Sequence, residues 1–234
     1  MPNPISDVRR YRMGFANIPP SDDFPTAVRS VEMWSQRADA AIIHLEPPWP
    51  ALLSGQPIEK IAEQEFDALV SYWRGRRMEL VIVVDPSNGV ERTSDSDNLR
   101  KVGRSITEPS IQQLYRSWVR TLVTRYRPAA IGLAVETNLV RDAAPPPLYQ
   151  AIVRAVNDAA LDVRAIDPTI PRFVTVQVDH AWGRLIPGDR YRGIDTDFRD
   201  FPFVEWLGFS SYPYLAGFTD AAQVPSDWYS RLLG

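Results

Sequence analysis

The chain of 234 residues has no Cys, so it carries neither a disulfide framework nor a thiolate zinc site. His44 and His180 are its two histidines, too few for a three-His zinc centre. Lysine is nearly absent: Lys60 and Lys101 are the two lysines, and the remaining positive charge is arginine, which reads as coding bias. No run approaches the roughly 18–20 apolar residues of a membrane span. The start, MPNPISDVRRYRM, lacks the apolar core of a signal peptide. The compartment therefore stays open: secreted or periplasmic if an export signal has been removed, otherwise cytoplasmic. The net charge of −3 comes without a basic cluster, which argues against a nucleic-acid partner. GFANIPP, after the first apolar segment, lacks the G-x-G-x-x-G spacing of a dinucleotide fold. Oligomeric state leaves no mark in the sequence.

What is present is alternation. Short apolar segments rich in Val, Ile or aromatics predict strands over residues 11–17, 40–46, 79–85, 130–136, 172–179 and 205–212. Between them lie amphipathic helices. One carries Ile58, Ile61, Ala62, Phe66, Leu69, Val70 and Trp73. A second carries Ile111, Leu114, Tyr115, Trp118, Val119, Leu122, Val123 and Tyr126. A third carries Leu148, Ile152, Val153, Val156, Ala160 and Val163. Pro109 and Pro147 mark helix starts and Pro128 a helix end. Strand–helix repetition implies a parallel sheet with right-handed crossovers, either doubly wound or a (β/α)8 TIM barrel. The long segments PPWPALLSGQ, PSNGVERTSDSDN and HAWGRLIPGDRYRG follow strand ends, which favours the barrel, whose active site is built from such loops. A complete barrel has eight strands in about 250 residues. The expectation is one domain over residues 1–234, with about six β/α units and incomplete at its C-terminus.

Side chains alternate along a strand, so parity assigns faces. In the fourth strand Ile131, Leu133 and Val135 should meet the helices, leaving Gly132, Ala134 and Glu136 inside, with the two small residues leaving space below the acid. Strand five should put Thr175, Gln177 and Asp179 inside. Strand six should put Gly208, Ser210 and Tyr212 there. His44 and Glu46 share a parity, and Asp85 ends an all-apolar strand. The expected inward polar set is His44, Glu46, Asp85, Glu136, Gln177, Asp179, Ser210 and Tyr212, mostly at C-terminal strand ends, where barrel enzymes place catalysis. Trp49 and Trp182, in loops after strands two and five, and Tyr212 and Tyr214 offer ring faces for a sugar. Trp34, Trp73 and Trp118 sit at helical positions that make them core.

AVETN and GFSSYPYL carry a resemblance to the retaining glycoside hydrolases of clan A, endo-galactanases and related barrel families. The resemblance implies that Glu136 is the general acid/base. It implies that the substrate is an oligo- or polysaccharide, contacted by Glu46, Trp49, Asp85, Asn138, Gln177, Asp179, His180, Trp182, Tyr212 and Tyr214, and that no cofactor or metal is needed. The family nucleophile is a Glu ending strand seven, expected beyond residue 234. Val135 stands where the family carries a sugar-binding Asn, which bears on substrate class. Two other readings stay open. One is a non-catalytic carbohydrate-binding barrel. The other is a metal-dependent, sugar-isomerase-type barrel using Glu136, Asp179 and His180.

Overall fold

The structure, a computed structural model, describes residues 11–16, 21, 23–89, 91–186 and 188–234. In chain order it contains β1 (Gly14–Ala16), α1 (Phe24–Ser35), β2 (Ala40–Leu45), α2 (Trp49–Leu53), α3 (Ile58–Gly75), β3 (Glu79–Val84), α4 (Asp97–Lys101) and α5 (Pro109–Tyr126). There follow β4 (Ala130–Gly132), α6 (Thr137–Ala143), α7 (Pro146–Ile166), β5 (Arg172–Gln177), α8 (Val178–Ala181), α9 (Asp195–Asp200) and β6 (Trp206–Ser210), then two short 3-10 turns. Among the described residues six strands pair in parallel, in the order β1-β2-β3-β4-β5-β6. A doubly wound sheet reverses its strand order at a switch point. This one does not, and it curls into a partial (β/α) barrel. Asn17, at the end of the first expected strand, lies outside the described residues. No described helix is long and apolar enough to cross a membrane.

The helices form where the apolar spacing puts them. Proline opens α5 and α7 at the first turn, where its missing N–H costs no helical bond. Arg127 closes α5 in a left-handed conformation, with Pro128 next. The outer core lies between sheet and helices: Ile43, Leu80, Ile82, Val84, Ile131 and Val174 meet Trp118, Leu122, Ile152 and Val156. Burying each such large apolar side chain contributes roughly 1.5–3 kcal/mol. A smaller cluster fills the concave side: Val83, Ala130, Val135 and Phe173.

Parity holds in β3 and β5 and fails in the fourth strand segment. A regular parallel ladder has Leu133 both donating to Phe173 O and accepting from Thr175 N–H. Leu133 N–H does donate to Phe173 O at 2.9 Å, but Thr175 N–H donates to Ala134 O instead, at 3.0 Å. The Leu133 carbonyl accepts the buried Tyr115 hydroxyl. One residue is thus inserted, as in a β-bulge, and every later side chain changes face. Ala134 packs with the outer core and Val135 with the inner cluster, the reverse of the expected assignment. The expected space below Glu136 is also occupied. A Cβ on Gly132 would stand 2.8 Å from the Phe173 ring, and one on Gly208 would stand 3.4 Å from it. Both glycines do face inward, and the phenyl ring fills the volume they leave.

Candidate active site

After the bulge, simple alternation would turn Glu136 away from the mouth. The backbone corrects this. Glu136 has φ 49° and ψ 48°, a left-handed conformation rare for a residue with a Cβ. Its N–H donates to Thr175 Oγ1 at 2.8 Å, and its carbonyl accepts from Leu139 and Val140 as α6 begins. Two brackets hold α6 in place. Asn138 Nδ2 donates to Gln177 O at 2.9 Å, and Asn138 Oδ1 accepts from Gln177 N–H at 2.8 Å. Thr137 Oγ1 donates to buried Asp197 at 2.7 Å, and Arg141 Nη1 donates to the other Asp197 oxygen at 2.6 Å. Burial pushes the Asp197 carboxyl up, and these two donors oppose that.

Glu136 Oε2 accepts from Arg92 Nε at 3.0 Å, and Oε1 has no hydrogen bond among the described residues. Arg92, from the segment after β3, is buried, and its φ of 59° is left-handed too. Its Nη1 also donates to Asp85 Oδ2, to Ser87 Oγ at 3.2 Å and to the Asn88 carbonyl at 3.2 Å. One guanidinium therefore joins the carboxylates that follow β3 and β4. His44 opens onto the same concave space. Surrounding protein lowers its pKa, Arg92 lowers it further, and the charges of Asp85 and Glu136 pull the other way. Burial raises the Tyr212 phenol, and the negative charge of Glu136 raises it further. Asp85, Arg92, Glu136, His44 and Tyr212 thus form one electrostatic group at the C-terminal strand ends. Tyr214 adjoins it, its ring edge-on to Tyr212 with centroids 6.1 Å apart.

The remaining expected residues lie elsewhere or serve each other. Glu46 accepts from Ser96 Oγ and, at 3.3 Å, from Asn98 Nδ2 at the start of α4. Trp49 opens α2 instead of lying in a loop, and it is fully buried in the outer core. Asn138 is committed to the backbone of β5. The Gln177 side chain caps α8: its oxygen accepts from His180 N–H, and its Nε2 donates to Asp179 Oδ2 at 2.8 Å. Asp179 lies in the first turn of α8 and does not end a strand. Its Oδ2 also accepts from Tyr212 N–H at 2.8 Å, while its Oδ1 is buried with no partner among the described residues. His180 Nε2 contacts Asp142 at 2.8 Å, on the helix side. Among the described residues no three His, Asp or Glu side chains are grouped to hold a metal ion. Trp182 is packed in a separate aromatic cluster with Trp228. Ser210 pairs with Gln177 across β5 and β6.

Sequence reasoning missed Arg92. The signal for it was an imbalance: several inward carboxylates were expected, and no cation was assigned to face them.

No protein-family model and no curated protein sequence matches the chain. Solved structures do match in shape. A beta-glucosidase from Thermotoga maritima, in complex with cyclophellitol, is similar with a TM-score of 0.54 at 10% identity, over 79% of this chain and 52% of its own. The AHE enzyme from Alicyclobacillus herbarius gives a TM-score of 0.55 at 10% identity, over 79% of this chain and 53% of its own. A family 1 beta-glucosidase from Thermotoga maritima with isofagomine lactam gives 0.52 at 10% identity, over 79% and 53%. The chain spans about half the length of these structures. At this identity the likeness is one of fold, and the fold is that of part of the (β/α)8 barrel of such glycosidases.

Proposed function

We propose that the chain contributes the β1–β6 part of a barrel that cleaves O-glycosidic bonds in an oligo- or polysaccharide by a retaining, two-carboxylate mechanism, with Glu136 as general acid/base. The observation that carries this reading is the backbone at Glu136. A left-handed conformation without glycine costs about 1–3 kcal/mol and persists only where the surroundings enforce it, commonly at functional sites. Here a bulge, two brackets on α6 and a buried arginine all converge on one carboxylate at the mouth. Arg92 fixes Oε2 and stabilises the carboxylate left after proton transfer, and Oε1 is the oxygen that delivers the proton to the leaving group. Tyr212 and Tyr214 supply exposed ring faces beside it.

A retaining mechanism needs a second carboxylate about 5–5.5 Å from the first. In this reading it comes from outside the described residues, because Asp85 is buried against Arg92 and Ser87 and Glu46 is bonded to Ser96 and Asn98. That commitment also favours a second reading, a barrel that binds carbohydrate without cleaving it.

The test uses the full-length protein and aryl glycosides with good and poor leaving groups. Glu136→Gln should lower turnover of the poor-leaving-group substrate by about 10²–10⁴-fold, lower the other much less, and leave binding nearly unchanged. Wild-type turnover in the variant would rule out the acid/base role. Binding by the wild type without hydrolysis of either substrate would select the second reading.

A further inference from the structure

We propose that a pocket beside the mouth, on the β5–β6 side, binds the charged substituent of an acidic saccharide, a uronate carboxylate or a sulfate ester, through Arg184 and Arg231. The proposal rests on the carbohydrate reading above and adds the charge class of the sugar.

The pocket has a volume of about 470 Å³ and is lined by Trp182, Arg184, Asp189, Tyr191, Ala216 and Arg231, among others. That volume suits a small ligand such as one or two sugar rings. Its wall is built from the end of α8. Gly183 is left-handed at φ 67°, and a Cβ there would stand 2.0 Å from the Arg190 carbonyl oxygen, so only glycine lets the chain double back. The returning segment is tied at both ends: Arg184 N–H donates to Asp179 O and Arg192 N–H to Ala181 O, each at 2.8 Å. Trp182 stacks on Trp228 with centroids 4.7 Å apart, and its indole N–H donates to Trp228 O at 2.8 Å. Tyr191 meets Trp182 edge-on at 5.7 Å, and its hydroxyl donates to Arg231 O at 3.1 Å.

The arginines are placed by rings rather than by acids. The Arg231 guanidinium lies 4.9 Å from the Trp182 ring and 4.8 Å from the Tyr191 ring, and that of Arg184 lies 5.7 Å from Phe218. The one carboxylate in the wall, Asp189, is taken by Arg192, with contacts at 2.7 and 3.0 Å. Among the described residues neither Arg184 nor Arg231 has a carboxylate partner. A guanidinium held beside rings and not by an acid has N–H donors left for a planar or tetrahedral oxyanion, which arginine can bind in a bidentate geometry. In a chain of net charge −3, two such cations in one pocket select for negative charge. The pocket wall and the segment carrying Tyr212 share one anchor: Asp179, whose carboxylate accepts from Tyr212 N–H, accepts the Arg184 N–H through its own carbonyl.

The test is calorimetric titration of the full-length protein with three oligosaccharides of equal length: neutral, uronate-bearing and sulfated. A charged form should bind roughly tenfold tighter than the neutral one, and the advantage should shrink between about 50 and 500 mM salt. The Arg184→Gln, Arg231→Gln double variant should lose that advantage and keep its affinity for the neutral sugar. Whichever charged form gains identifies the substituent. Equal affinities, or an advantage that survives in a folded double variant, would overturn the inference and leave the carbohydrate reading standing. Failure of all three sugars to bind would remove that reading and the inference with it. If circular dichroism shows the double variant unfolded, Arg184→Gln alone serves, since that residue is exposed and lies over the Phe218 ring. Its expected loss is about threefold, and no loss would count against the proposal.

Discussion

On the β3–β4 side of the mouth, Arg92 is buried and gives its guanidinium to Glu136, Asp85, Ser87 and the Asn88 carbonyl. On the β5–β6 side, Arg184 and Arg231 are exposed, lie over aromatic rings and meet no carboxylate among the described residues. The difference follows from burial. A cation out of water must have its donors satisfied by the protein, so it fixes whatever satisfies it. A cation held on a ring at the surface gains a preferred orientation while its hydrogen-bonding edge stays open. The first side of the mouth is therefore built to hold a geometry, and the second to accept a ligand.

The largest effect should come from breaking the first side. Arg92→Met leaves the buried Asp85 and the partly buried Glu136 without their cation and should cost about 3–5 kcal/mol in urea unfolding. Arg92→Lys should recover only part, since a point charge cannot bridge both acids as the fork does. A loss below about 1 kcal/mol would mean that Arg92 is not the member that holds this side together. Next in size is Gly132→Ala, on the floor beneath the same group. Its Cβ would press on the Phe173 ring at 2.8–2.9 Å and on Val83 at 3.1 Å. Overpacking of that kind should cost about 1–3 kcal/mol. A neutral or stabilising result would restore the open interior expected from the small residues of that strand. On the second side, Trp182→Phe keeps a ring under Arg231 but gives up the indole bond to Trp228 O. It should cost about 0.5–1.5 kcal/mol, with the aromatic cluster otherwise intact by near-ultraviolet circular dichroism. A loss as large as that of Arg92→Met would mean that this side is structural as well.

The sequence made the outer half of the fold readable, because helix spacing and strand composition are local signals. The second and third strands end within one residue of their expected limits, and α5 starts at the expected Pro109. The fourth strand was legible only to Gly132. Its bulge depends on Tyr115, in α5, capturing the Leu133 carbonyl, and no local pattern announces a bond made across a helix and a sheet. The acid at the mouth could be chosen by parity although parity fails at Val135, because the left-handed turn at Glu136 undoes the flip that the bulge introduced. The same non-locality hid Arg92, whose partners follow two different strands. It also hid the packing of Trp49 and Trp182, which sit in apparent loops and are held by distant residues.

The smallest prediction concerns why Asp189 leaves the second side cationic. Arg192 side-chain donors and the Arg190 N–H hold the Asp189 carboxyl below the usual carboxylate range. With the folded value depressed, the contribution of the pair to stability is fully present above the unfolded value of about 3.9. It is lost as pH falls through the lower folded value. Solvent exposure makes the global effect slight, so the reading should be local. An NMR titration of the Asp189 carboxyl should show a midpoint below about 3.9, and Arg192→Gln should move it up toward that value. A wild-type midpoint at the ordinary value, or one unmoved by Arg192→Gln, would mean that Arg192 does not own this carboxylate.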